Sequence, residues 1–271
     1  MKMNELEIKY EVLKSLLEEL GEVIIAFSGG VDSSLLAKAS YDVLGDKAKA
    51  ITVISPLISK EEVAEAKFLA EIIGIKHYIL DKGQESPSWF QDHPSDRCYI
   101  CKTETLDLIL KFCKENEIQG QLIEGSNFDD LDDYRPGYKA VSEHNVRSPL
   151  MDAELTKEEI RELSKKLGLP CWDKPSSPCL ATRFFFGEEI TLEKLKQVYE
   201  AEKYLQNLEI PVVRVRTNKG IARIETLKEY FDVILEFSDD IDRKLRELGY
   251  EFITLDLRGY KQGSMNISKD K

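Results

Sequence analysis

Apolar and polar positions along the 271 residues change period several times. Over residues 1–20, Leu6, Leu13, Leu16, Leu17 and Leu20 recur among charges at helical spacing, so an amphipathic helix opens the chain. Short apolar runs then alternate with helical stretches. EVIIAF (22–27), KAITVI (49–54), HYIL (77–80) and GQLIEG (120–125) read as strands, while EEVAEAKFLAEIIG (61–74) and KTETLDLILKFCKEN (102–116) read as helices. Such alternation predicts an α/β fold, a parallel sheet flanked by helices on both faces. Thr156 with Glu159 three residues on forms a capping box for a further helix, which Gly168 and Pro170 end.

After the Pro- and Ser-rich LPCWDKPSSPCLATR the texture changes. A long helix (191–208) precedes VVRVRT (212–217), the turn NKG and IARIE (221–225), which read as a hairpin, and FITLDL (252–257) adds another strand. The expected organisation is a first domain over 1–183 and a smaller α+β C-terminal domain over 184–271. KGQESPSWFQDHP shows no period, and GSMNISKDK at the end reads as a frayed tail.

Hydrophobic residues make up 42% of the chain, enough for a proper core. The first helix is too charged for a signal peptide, and no apolar run approaches the roughly 18 residues of a membrane span, so the expected address is cytoplasmic with no membrane partner. In a reducing compartment the five cysteines (98, 101, 113, 171 and 179) read as ligands, nucleophiles or core residues and not as disulfides. A net charge of −12 argues against a broad nucleic-acid footprint.

At the end of the first strand stands FSGGVDSSLLAKAS (27–40). Serines, two glycines and an acid at a strand-to-helix turn allow backbone N–H groups to close on a phosphate chain, with the positive helix end adding to the attraction. The Gly-Lys-Ser/Thr ending of a Walker A loop is missing. A plain Gly-rich packing turn is the simpler alternative. The stretch resembles the PP-loop of the ATP pyrophosphatase superfamily, adenine nucleotide alpha hydrolase-like in fold, whose members split ATP into AMP and pyrophosphate to activate a carbonyl or carboxyl oxygen. That resemblance implies that Ser28, Gly29, Gly30, Asp32, Ser33 and Ser34 bind ATP, with Mg2+ near Asp32. Adenylation makes sense where a poor leaving group must be replaced. The attacking group is then ammonia, as in NAD and GMP synthetases, or sulfur.

The cysteines bear on that choice. SDRCYICK (95–102) places Cys98 and Cys101 at C-x-x-C spacing near a helix start, which suits a redox pair, half a zinc site or cluster ligands. With Cys179 they make three thiols, a set suited to a 4Fe-4S cluster with one iron open or to zinc with His93 as fourth ligand. Cys113 and Cys171 read as packing residues. His77 and His144 are assigned no chemistry. In VVRVR, Arg214 and Arg216 share one strand face, which Arg223 joins across the hairpin; the face is either solvated or a phosphate site.

SDRCYICK, EGSNFDD (124–130), YRPGYKAVSEHNVRSPL (134–150), LTKEEIRELSKKLGLPCWDKPSSPCLATRF (155–184) and RVRTNKGIARIE (214–225) together resemble the LarE family. These are ATP-dependent sulfur insertases that build the nickel-pincer nucleotide of lactate racemase. The resemblance implies adenylation of a pyridinium dicarboxylate mononucleotide and its conversion to a thiocarboxylate, with Cys179 as the sulfur-bearing position. Of the family's two versions, one consumes a single cysteine and the other holds a 4Fe-4S cluster on three; Cys98, Cys101 and Cys179 follow the second, with sulfide or another sulfur donor as co-substrate. It further implies a substrate-phosphate site at Arg214 and Arg216, with Arg223, Glu202 and Arg183 as further candidates, and a homo-oligomer. The rival functions are tRNA thiolation by a PP-loop enzyme with a 4Fe-4S cluster, an amidotransferase-like ligase, and a nucleotide or metal carrier without turnover.

Overall fold

The computed structural model describes residues 4–83, 86–132, 136–175 and 178–261, which divide into two units. The expected frayed tail and parts of the YRPGYK and SSPCL motifs lie outside the described residues. The first unit covers residues up to 83 and 96–175. Its strands β1 (Val23–Ala26), β2 (Ala48–Ile54), β3 (Lys76–Asp81) and β4 (Gln121–Ile123) form a wholly parallel sheet in the order β3-β2-β1-β4. The helices are α1 (Glu5–Leu20), α2 (Val31–Leu44), α3 (Lys60–Ile73), α4 (Arg97–Glu115), α5 (Gly137–Glu143), α6 (Pro149–Asp152) and α7 (Lys157–Lys166).

Alternation along β1 explains the layering. Val23 and Ile25 face a core with Leu13 and Leu17 of α1, Leu35 and Leu36 of α2 and Ile160 of α7. Ile24 faces the opposite core, with Leu106 and Ile109 of α4 and Ala140 of α5. Both sheet faces are thus covered, as parallel strands require. Local signals agree with the packing: capping boxes at Asn4, Ser59 and Thr156 open α1, α3 and α7. Burying each of these leucines contributes about 1.5–3 kcal/mol.

The second unit covers 86–95 and 178–261. Helix α8 (Leu192–Gln206) packs on β5 (Val213–Asn218), which pairs antiparallel with β6 (Ile221–Thr226); β6 pairs in parallel with β7 (Phe252–Leu255), and α9 (Phe231–Glu236) and α10 (Ser238–Glu247) lie between them in sequence. Lys219 and Gly220 turn the hairpin at φ 44° and 82°, the double positive φ of a two-residue primed turn. Val213, Val215 and Ile224 meet Ala201, Leu205, Ile241 and Leu245 in one core.

The segment without sequence period groups with this second unit. Trp89 and Phe90 are buried, and the Phe90 and His93 carbonyls accept from Ile190 N (2.9 Å) and Gly187 N (3.1 Å). Here the constraint is long-range pairing, to which local periodicity is blind.

Candidate active site

The end of β1 delivers the chain to the N-terminus of α2 through Phe27–Gly30. Ser33 closes this loop on itself: its hydroxyl donates to the Gly30 carbonyl (3.1 Å) and accepts from Ser28 N (3.3 Å), with the Ser28 hydroxyl 3.1 Å away. Gly30 N donates in turn to Ser28 Oγ (3.3 Å). Gly29 holds φ +70°, and a Cβ there would meet Ala66 Cα of α3 at 2.9 Å, so only glycine lets the loop pass this close. Gly30 caps α2 without a side-chain acceptor. The first N–H groups of α2 therefore remain as anion donors at the positive helix end.

Gly125, just beyond β4, completes the cradle. A Cβ on it would stand 3.0 Å from Ser33 N and 3.2 Å from Ser33 Cα, so glycine lets this segment lie close against the first turn of α2. Ser34 is fully buried and its backbone N–H already bonds the Gly30 carbonyl (2.9 Å), so it braces the first turn from inside.

Asp32 is half-exposed and pairs with Lys157, the first residue of α7, through Oδ2, while Oδ1 accepts from Asn127 Nδ2 (3.3 Å). Asn127 and Lys157 both fall within the family-like motifs, but nothing in their spacing shows that they converge on Asp32. Glu124, at the end of β4, is buried; its Oε1 accepts from Ser148 Oγ (2.7 Å) and Ser126 N (3.1 Å), and Lys102 Nζ lies 3.2 Å from Oε2. Burial alone pushes this carboxyl up, but Lys102 and the serine bonds outweigh it and hold it below its ordinary value.

Cys98 and Cys101 lie one turn apart at the start of α4, exposed and half-buried, in the first unit; Cys179 is exposed in the second. No disulfide joins the described cysteines. Within either unit no three described His, Cys, Asp or Glu side chains converge on a metal-sized site. Cys113 and Cys171 are buried in the cores, with thiol pKa values raised by burial. His93 is fully buried, its Nδ1 2.8 Å from the Phe185 carbonyl. His77 does have a partner, Thr52 Oγ1 at 2.8 Å, and His144 bonds Ala140 O (2.8 Å) and Asp107 (3.0 Å).

In the second unit the arginine face of β5 is buried, not solvated. Arg214 and Arg216 are 7% and 5% exposed, and Arg216 sits opposite Arg223 in register. Glu225, 1% exposed, bridges them: Oε2 accepts from Arg216 Nε (3.1 Å) and Oε1 from Arg223 Nη2 (2.8 Å). β5 is an edge strand, and Glu202 of α8 covers that edge by accepting from Val215 N (2.9 Å) while gripping Arg183 at 2.8 Å through each oxygen. Arg214 lies over the Tyr260 ring (5.4 Å). Burial, then the charge of Arg183, lowers its guanidinium pKa, a condition that a bound anion would relieve. Neither Glu225 nor Tyr260 carries a sequence signal that marks it for this face.

Comparison with known proteins shows the family of the chain. The NAD synthase family model matches residues 5–97. An uncharacterized protein of Synechocystis sp. is 43% identical over 96% of this chain and 98% of its own length. The pyridinium-3,5-bisthiocarboxylic acid mononucleotide synthase of Lactiplantibacillus plantarum is 37% identical over 99% of this chain and 98% of its own. The chain belongs to the LarE family. A glutamine-hydrolyzing GMP synthase component of Methanosarcina acetivorans matches less of it, 32% identical over 67% of this chain and 62% of its own length. A LarE-family chain is a PP-loop enzyme that uses ATP, and its PP-loop opens α2 in the first unit. No described helix is long and apolar enough to cross a membrane.

Proposed function

We propose that the protein is an ATP-dependent sulfurtransferase that converts a carboxylate of a pyridinium dicarboxylate mononucleotide to a thiocarboxylate. The observation that carries this is the loop at the start of α2, where the first backbone N–H groups have no side-chain cap and Gly29 and Gly125 allow close backbone approach, an arrangement suited to the phosphates of ATP. A substrate carboxylate oxygen attacks the α-phosphorus of ATP, and pyrophosphate leaves into that cradle. A sulfur nucleophile then adds to the activated carbonyl, and AMP departs with the original carboxylate oxygen. Family membership and the name of the Lactiplantibacillus relative support this choice of substrate.

Asp32 suits a Mg2+ site in which one carboxylate is joined by phosphate oxygens, the usual arrangement for this ion. ATP with Mg2+ would take over the role that Lys157 and Asn127 fill in balancing Asp32. Arg214 and Arg216, with Arg223, take the substrate phosphate, Glu225 holding the guanidinium groups of Arg216 and Arg223 while Glu202 fixes the β5 backbone at Val215 N. Cys98, Cys101 and Cys179 are the residues that would hold a 4Fe-4S cluster, and the helical C-x-x-C pair and the resemblance support that set. Such a cluster would supply an open iron able to carry sulfide, which would allow more than one turnover.

The test is pyrophosphate release and product mass with purified protein, ATP, Mg2+, the mononucleotide and sulfide. Release that requires the mononucleotide, with one oxygen exchanged for sulfur in the product, is the expected result. Cys98→Ala, Cys101→Ala and Cys179→Ala should each lose iron colour and sulfur transfer. A colourless protein that turns over once, with Cys98 and Cys101 replaced and Cys179 left as dehydroalanine, would overturn the cluster. Release driven equally well by bulk tRNA would overturn the substrate.

A further inference from the structure

We propose that Arg183 is a positioning residue for Cys179, fixing the backbone of the cysteine's turn and tying it to the strand that carries Arg214 and Arg216. The inference rests on the reading of Cys179 as the sulfur-bearing position.

Cys179 precedes a short 3-10 turn, Leu180–Arg183, and its side chain is exposed. Its backbone is held from within. The Cys179 carbonyl accepts from Thr182 N (3.0 Å), Thr182 Oγ1 (2.8 Å) and Arg183 Nη1 (3.2 Å). The same Nη1 donates to the Pro178 carbonyl (2.6 Å) and to Thr182 Oγ1 (3.0 Å). On its other edge the guanidinium makes a two-pronged bond to Glu202, whose Oε1 also takes Val215 N of β5. Arg216 fastens the far end of the turn by donating to the Thr182 carbonyl (2.9 Å), and Phe184 bridges to Thr217.

Arg183 is 3% exposed and gives both edges of its guanidinium to protein acceptors, one of them the backbone of the cysteine's own turn. What it does is convert the position of β5 into the position of one carbonyl. A fork of fixed N–H directions is needed for that, and a lysine ammonium, a single point charge, cannot reproduce it. The strand holding the phosphate arginines and the turn bearing Cys179 are thereby one rigid piece, so a substrate seated by its phosphate finds the sulfur position at a set distance.

Arg183→Lys and Thr182→Val test this. The lysine variant breaks the fork; the valine variant removes only the Oγ1 bonds at a half-buried position and leaves the ion pair with Glu202 intact. Two readouts are taken: kcat and KM for thiocarboxylate formation, and the iodoacetamide alkylation rate of Cys179 relative to Cys98 by peptide mass spectrometry, after chelation in wild type and variants alike. In Arg183→Lys the expected result is a fall in kcat of about a hundredfold, the cost of a misplaced reacting group, with KM for the mononucleotide and first-turnover pyrophosphate release retained. Alkylation of Cys179 should change severalfold while that of Cys98 does not, and Thr182→Val should move both readouts the same way by less. A raised KM at constant kcat, with Cys179 alkylation unchanged, would make Arg183 a substrate ligand and overturn the proposal. Should the lysine variant fail to fold, Thr182→Val with unchanged kcat and unchanged alkylation overturns it equally. If Cys179→Ala keeps full sulfur transfer, the sulfur reading falls instead, and the alkylation comparison still decides whether Arg183 positions the turn.

Discussion

At the PP-loop the anion donors are backbone N–H groups at the start of α2, whereas those of the phosphate site proposed in the second unit are guanidinium groups, of which Arg216 and Arg223 already face a carboxylate. The first arrangement carries only partial charges and needs no counter-ion when empty. The second places full charges at 5–7% exposure, which is tolerable only because Glu202 and Glu225 sit among them. The difference teaches that the proposed ATP cradle is shaped by what is missing, side chains at Gly29 and Gly125, while the proposed phosphate face is shaped by what is paired. Mutations should therefore separate function from stability in the first unit and couple them in the second.

The sharpest break of that comparison is Glu225→Ala against Asp32→Ala. Removing Glu225 leaves the buried Arg216 without its carboxylate, while Arg223, a third exposed, keeps Asp256, and a loss of about 3–5 kcal/mol in stability is expected by chemical denaturation. Asp32→Ala should abolish pyrophosphate release yet barely move the midpoint, because its partner Lys157 is 35% exposed and can turn to water. Equal stability losses in the two variants would erase the distinction.

Next in size are Arg214→Ala and Arg216→Ala. Charge-assisted bonds to a phosphate contribute about 1.5–3 kcal/mol each, so titration calorimetry should show affinity for the mononucleotide falling by roughly ten- to a hundredfold while ATP affinity holds. Parallel loss of ATP binding would mean that these arginines do not form a separate substrate site.

Gly125→Ala sharpens the other side. The added methyl would stand 3.0 Å from Ser33 N, where a phosphate oxygen should lie, so ATP binding is expected to weaken by about tenfold, the scale of one lost charge-assisted bond, with mononucleotide affinity kept. Gly168→Ala is the control: it has nothing within 4 Å, and its φ of +72° gives backbone strain alone.

Much of this was legible in the chain. The strand-turn-helix of the PP-loop, the Thr156 capping box and the Arg214–Arg216 alternation with Arg223 opposite all follow from spacing, because they are local. What spacing could not show is what lies across a gap. Alternation told which residues share a face of β5, not that Glu202 and Glu225 would be buried with the arginines. Lys157 opens a helix and looks like an ordinary first-turn residue; its pairing with Asp32, 125 positions earlier, exists only once α7 packs beside α2. The segment 86–95 lacked a period because carbonyl pairing and two buried aromatics fix it, not a repeating face.

The smallest expected effect belongs to Glu124, a buried carboxylate in the first unit and so an exception within its own side of the comparison. Burial raises its pKa, but Lys102 and the bonds from Ser126 and Ser148 win, and the folded value lies below the ordinary 4.5. The unfolded chain then binds the proton more readily than the folded one, so stability rises with pH across that window. The contribution is fully present above about pH 4.5 and is lost as pH falls through the folded value. Glu124→Gln should accordingly flatten the acid limb of a stability-against-pH curve between pH 3 and 5, roughly the span of ordinary carboxylate titration, while the neutral-pH plateau drops by no more than the Lys102 pairing supplies. Lys102→Met should flatten the same limb, since it removes the charge that holds the carboxylate ionised. An acid limb as steep in both variants as in the wild type would show that Glu124 has the same proton affinity folded and unfolded, and that Lys102 and the serine bonds do no more than offset its burial.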